Sequence, residues 1–190
     1  MHVIHTPLSA RLKASTHATH DRLDRSIMEA ASFSSLDGYR RFLQVQRAFH
    51  SDIEAFYADP GLQALLPGLA ERRRLPLIEA DLADLGEDMG QALPGRPVPD
   101  PATALGWLYV AEGSNLGATL LRKEAARLGL SDAHGARHLA PAEEGPAAHW
   151  RHFKAGLDAA MLTDAEVERA VAGANAAFAR VQALVDAELA

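Results

Sequence analysis

The chain contains no cysteine among its 190 residues. Disulfides, thiolate metal ligands, iron–sulfur clusters and a cysteine nucleophile are therefore excluded, and the composition suits a reducing, cytoplasmic setting. Basic residues are outnumbered, 19 Lys and Arg against 25 Asp and Glu, for a net charge of −6. No basic stripe offsets that deficit, which argues against nucleic acid as a partner. The short run Arg72-Arg73-Arg74 reads as a solvated helix face. A long apolar run is also missing. The first residues lack the apolar core of a signal peptide. The best membrane candidate, residues 102–121, carries Glu112 near its centre beside Ser114 and Asn115, a costly arrangement in lipid, so no membrane association is expected. No Gly-x-Gly-x-x-Gly motif is present to hold a flavin or nicotinamide. Paired Glu-x-x-His motifs, which a carboxylate-bridged di-iron bundle requires, are absent: Glu54, Glu71, Glu112 and Glu124 are followed three places on by Tyr57, Arg74, Asn115 and Arg127.

What is present is helical pattern. Apolar residues make up 48% of the chain and charged ones 23%, ordinary proportions for one globular domain spanning residues 1–190. Thr6-Pro7 reads as the N-cap and first position of a helix reaching about Ala30. Ser34 and Ser35 open a second helix, with the stripe Tyr39, Phe42, Leu43, Gln46, Phe49, Ile53 and Phe56 at three- and four-residue intervals. A short helix over about 60–66 and another over 69–85 follow. Pro94, Pro97, Pro99 and Pro101 mark a loop. A long helix runs from about Ala102 to Leu128 and stops at Gly129. Two more cover about 146–161 and 164–189, the last opened by the capping box Thr163-Asp-Ala-Glu166. No strand or repeat is evident, and the fold class is all-α.

The long helix carries Gly106, Gly113 and Gly117. At about 100° per residue, spacings of seven and four place all three on one strip. Each costs about 1 kcal/mol against alanine, a cost understandable where another body approaches the backbone. That body is either a second helix or a flat ligand. On the first helix, Thr16, His20, Leu23 and Ile27 fall within about 80° of Leu12, so His20 is expected on the buried-facing side and His17 elsewhere. A buried-edge histidine is usually hydrogen-bonded to a backbone carbonyl. It is also the commonest metal-binding side chain and the proximal ligand of many haems. His17 and His20 alone lack the further ligands a zinc site needs. A histidine on one helix and a bare strip on another suit the two faces of a flat macrocycle. Lys13, roughly 10 Å from His20 along the helix axis, is either an ordinary exposed lysine or a partner for a carboxylate at the macrocycle's edge.

The segment Thr16-His-Ala-Thr-His20-Asp-Arg-Leu-Asp24 resembles the proximal-helix motif of haem oxygenases. The segment Leu105-Gly-Trp-Leu-Tyr-Val-Ala-Glu-Gly-Ser-Asn-Leu-Gly-Ala118 resembles their distal helix in its bacterial form. Leu65-Leu-Pro-Gly-Leu-Ala70, Ala80-Asp-Leu-Ala-Asp-Leu-Gly86 and Gly135-Ala-Arg-His-Leu-Ala140 are similar to the same branch. The resemblance spans nearly the whole chain in order. It implies a single-domain helical fold that sandwiches haem between the first helix and the glycine-rich helix. His20 takes the iron-ligand position, Gly113 and Gly117 the distal glycine positions, and Ser114 stands where the mammalian branch has a water-organising aspartate. Tyr109 is a second contact at the haem edge or a packed core tyrosine.

The implied activity uses haem b as both cofactor and substrate and O2 as co-substrate. The ring is opened at a meso carbon to biliverdin, CO and ferrous iron. Some bacterial relatives with a neutral residue at the position of Lys13 cleave away from the α carbon, so Lys13 points to biliverdin IXα. Electrons must come from a ferredoxin, flavodoxin or flavin reductase, with Lys13, Arg122 and Lys123 as candidate docking cations. A bilin-binding photoreceptor is a conceivable product acceptor. Rival readings are a non-catalytic haem carrier or sensor, a helical interaction domain whose glycines serve close packing, and a small all-α hydrolase, for which no convincing serine triad exists.

Overall fold

The computed structural model describes residues 6–29 and 32–189. Among them are seven α-helices and no strand: α1 Leu8–Glu29, α2 Leu36–Ala58, α3 Pro60–Leu65, α4 Leu75–Asp84, α5 Pro101–Arg127, α6 Pro146–Ala159 and α7 Asp164–Glu188. The starts follow local chemistry. Ser35, Asp59, Asp100 and Thr163 cap α2, α3, α5 and α7 by accepting backbone N–H bonds, and Thr163 with Glu166 closes the expected capping box. The helix ending at Gly129 stops there because that residue takes φ of 83°, which glycine adopts without penalty. The predicted end of α1 at Ala30 lies outside the described residues.

The stretch 69–85 is not one helix. A 3-10 turn at Ala70–Arg72 is followed by extended backbone at Arg73, and α4 begins only at Leu75 with Pro76 in its first turn. Pro76 has no N–H to donate to the Arg72 carbonyl and its ring would crowd that carbonyl, so a continuous helix does not pass through it. The break fans the three arginines in different directions, which corrects the solvated-face reading. Arg73 stays near the surface, paired with Glu54. Arg72 is buried against Glu112 of α5. Arg74 donates to the carbonyls of His138 and Ala140.

Two apolar clusters share α2 and α5. The larger joins Leu12 and Leu23 of α1, Phe49 and Phe56 of α2, Leu105 and Leu108 of α5, Phe153 of α6 and Phe178 of α7. The smaller joins Tyr39 and Phe42 of α2, Ile78 and Leu82 of α4, Ala118 and Ala125 of α5, and Leu139. The stripe expected on α2 is buried apart from the half-buried Gln46. Helices α5 and α7 meet backbone to backbone. A Cβ added to Gly106 would lie 2.6 Å from the Ala174 nitrogen and closer still to the Ala170 carbonyl oxygen. One added to Gly173 would overlap the Thr103 carbonyl. No helix among the described residues is long and apolar enough to cross a membrane.

Candidate haem site

The glycine strip divides in two. Gly106 is occupied by α7, as above. Beyond it the strip opens: a Cβ on Gly113 would meet only the Trp150 ring, at 3.7 Å, and one on Gly117 would meet nothing within 4 Å. Leu116 and Leu120, on the same side of α5, are large apolar residues left exposed, Leu120 by 56%. Tyr109 stands one turn before Gly113. Its ring packs against Trp150 at 5.6 Å. Burial raises its phenol above the usual value, while the Thr16 hydroxyl of α1 pulls the other way. Tyr109 therefore ties α5 to α1 one turn ahead of both the open glycines and His20. It is a half-buried tyrosine at the margin of the strip.

His20 is not buried. Its side chain is 53% exposed, because it sits at the edge of the apolar stripe of α1 rather than at its centre. It makes no bond to a backbone carbonyl. Its Nδ1 lies 3.3 Å from Asp24 Oδ2 and 3.8 Å from Asp21 Oδ1, and its ring meets the edge of Phe178 of α7 at 5.9 Å. Nδ1 is thus the nitrogen turned to the carboxylates, which leaves Nε2 as the one directed elsewhere. A carboxylate on one imidazole nitrogen fixes the ring and strengthens the other as a metal ligand. His17 is exposed and pairs with Asp21. Among the described residues no group of three or more His, Asp or Glu could hold a metal ion. Lys13 is exposed. Arg122 is engaged by Asp132, which also raises its pKa, and Lys123 is exposed.

Ser114 is exposed, and its hydroxyl donates to the Ala111 carbonyl at 2.6 Å. It is thereby spent on its own helix, a common habit of serine within helices.

The sequence reading missed the polar structure beneath α5. Glu112, in the turn of Gly113, is buried and accepts from Arg72 at 2.9 Å and from the Tyr57 hydroxyl at 3.0 Å. Burial first, and Glu112 second, hold the Tyr57 phenol well above its usual value. Arg72 also donates to the His149 carbonyl. Burial pulls the Arg74 guanidinium below its ordinary value, with Glu112 opposing. Further in, Asp81 is fully buried and accepts from the backbone nitrogens of Arg137 and His138 and from His138 Nδ1 at 2.8 Å. His50, enclosed on α2, is pushed down to about 3, chiefly by burial and then by His138 and Arg74. The signal for this region was present only as Glu112 inside an apolar helix and an arginine run with no visible partner.

These residues fit a flat apolar ligand with a metal at its centre. One imidazole has a free nitrogen, two backbone positions lack side chains, and exposed leucines stand beside them. Fold and site together define a single helical domain whose glycine helix leaves an open face at Gly117. The sequence matches the Heme oxygenase family over residues 6–187. It is 42% identical to Heme oxygenase PigA of Pseudomonas aeruginosa over 180 residues, covering 94% of this chain and 91% of that one. It is 34% identical over 156 residues to Heme oxygenase of Xanthomonas campestris pv. campestris, covering 80% and 91%. The fold matches the NO- and CO-bound heme oxygenase of Neisseria meningitidis with a TM-score of 0.92 and 38% identity over 97% of this chain and 93% of that one. Heme oxygenase of Leptospira interrogans, at 18% identity, shares the fold with a TM-score of 0.77 over 96% and 100%. The chain belongs to the haem oxygenase family, and it is a haem-degrading enzyme.

Proposed function

We propose that the protein opens the haem ring at a meso carbon, using O2 and external electrons, to give biliverdin, CO and ferrous iron. The observation that carries this reading is the pair of open glycines, Gly113 and Gly117, on the helix that Tyr109 ties to α1 near His20. Haem supplies the iron that binds O2 and the carbon that is oxidised.

The chain's own residues do the rest. His20 would hold the haem iron through Nε2, with Asp24 orienting the ring from Nδ1. A histidine pushes less electron density toward O–O cleavage than a thiolate does. Gly113 and Gly117 would let α5 lie close over bound haem, so that a small ligand there would meet backbone rather than a side chain. Because the Ser114 hydroxyl is bound to Ala111, Ser114 contributes its small size, and polar groups elsewhere must arrange water. Leu116 and Leu120 cover the apolar macrocycle. Lys13 meets a propionate as a point charge, the contact that favours the IXα product, with Tyr109 at the margin. A ferredoxin, flavodoxin or flavin reductase supplies electrons, docking near Lys13 and Lys123. Arg122 is the weakest of the three cations for this purpose, being engaged by Asp132. The enzyme works in the cytoplasm as one domain over residues 1–190, and its product can serve a bilin-binding photoreceptor.

Hemin titration followed by ascorbate in air tests this directly, with His20→Ala beside the wild type. The expected result is stoichiometric binding, loss of the Soret band, growth of a biliverdin band, and dependence of both on His20. A Soret band that persists in air would make the protein a carrier or sensor. Chromatography of the same extract checks the Lys13 contact, since β or δ isomers would overturn it.

A further inference from the structure

A small chamber lies against α5, lined by Arg74, Glu112, Asn115, His149 and Trp150. Its volume of about 10 Å³ is close to what one water molecule needs. The lining is polar and incompletely paired within the protein: Asn115 Nδ2 is buried and has no protein partner. Glu112 turns one carboxylate oxygen to Arg72 and the other to Tyr57. His149 Nε2 stands 3.9 Å from Glu112 Oε2, too far for a direct hydrogen bond and suited to a bridging water.

The other side of the same imidazole faces out. His149 Nδ1 is 2.8 Å from Glu144 Oε1, and Glu144 is 40% exposed. The His149 ring holds the Glu144 carboxyl below its usual range, with the Glu144 backbone and more distant His152 adding to the effect. His149 thus joins a surface carboxylate to a buried one. Arg72, which donates to its carbonyl, and Arg74 are the cations nearest this junction. The chamber borders the glycine strip: Trp150 lines it, and the same ring lies 3.7 Å from where a Cβ on Gly113 would stand.

We propose that this chamber binds one water, held by Asn115 Nδ2 and Glu112, and that His149, steered by Glu144, passes protons from the surface into it. The proposal rests on the haem oxygenase reading, whose chemistry demands protons: each oxygen atom of O2 released as water takes up two. In the step itself the Nε2–H bond of His149 breaks and its proton goes to the chamber water, which releases one of its own protons on the side facing Gly113. Nδ1 keeps its proton toward Glu144, and a solvent proton restores Nε2 after the ring turns outward or the water is exchanged. No electron moves. His149 does not touch haem, so it is a positioning and proton-carrying residue rather than a catalytic one.

Two variants test it, His149→Gln and Glu144→Gln, since glutamine keeps polar contacts but does not take up and release protons. Single-turnover loss of haem, with ascorbate as reductant, is measured in H2O and D2O. The expected result for His149→Gln is slowing of at least about tenfold, a larger solvent isotope effect, and hemin affinity unchanged. Glu144→Gln shifts both in the same direction by less. In the haem-free wild type, NMR is expected to show magnetisation transfer from a long-lived water to the Asn115 side-chain amide. Wild-type rate and isotope effect in His149→Gln overturn the proposal. If that variant does not fold, the same result in Glu144→Gln overturns it. A wild type that binds hemin but never consumes it refutes the activity instead, and the Asn115–water signal then judges the chamber alone.

Discussion

Gly106 and Gly117 lie on one strip of one helix and serve opposite ends. At Gly106 the backbone of α7 is so close that a methyl group has no room, and Gly173 of α7 reciprocates against Thr103. At Gly117 the same added methyl would touch nothing. Identical residues, about three turns apart, thus meet a packed backbone in one case and open space in the other. The histidines divide in the same manner. His20 looks outward from α1 with one nitrogen turned to carboxylates, whereas His50 is enclosed on α2 and held neutral. A position's chemistry here follows from what stands opposite it, not from its residue type.

That contrast can be broken by substitution. The largest effect is expected at Gly106→Ala, where overpacking costs about 3 kcal/mol, read as a lowered denaturation midpoint. Gly117→Ala should do the reverse and stabilise by about 0.5–1 kcal/mol, the helix-propensity gain at an exposed site. Equal effects of the two would mean that the strip is uniform after all. Gly117→Leu is expected to leave the melting temperature near wild type and still bind hemin, yet to block ring opening or divert it to peroxidase-like oxidation. Undisturbed biliverdin formation in that variant would remove Gly117 from the site. The smallest effect concerns His50. Its folded pKa of about 3 lies below the ordinary 6.5, so the unfolded chain takes up a proton first as pH falls. Stability is therefore full above about pH 6.5 and declines toward pH 3. His50→Gln should flatten the acid slope of the melting temperature over that window, and an unchanged slope would show that another group sets it.

Much of the fold was legible because helix signals are local. The caps at Ser35 and Thr163, the stripe on α2 and the stop at Gly129 all rest on residues within a few positions of one another. The break before Leu75 was not legible, since Pro76 is equally at home in the first turn of a helix and as a breaker within one. The glycine strip was visible as a strip, but which glycine faced a helix and which faced open space was not. His20 was visible as the metal-ligand candidate, and its exposure was misjudged because azimuth tells which side a residue takes and not what fills the space beyond.

Helical class, the glycine strip and the family were fixed by the order of residues alone, because periodicity, capping and motif spacing act along the chain. Tertiary structure decided the rest: the burial of Arg72 against Glu112, the division of the strip, and the His149 junction. Each of these joins residues distant in sequence or depends on what stands opposite a helix face. Desolvation and close contact, the forces that set them, exist only once the helices have packed.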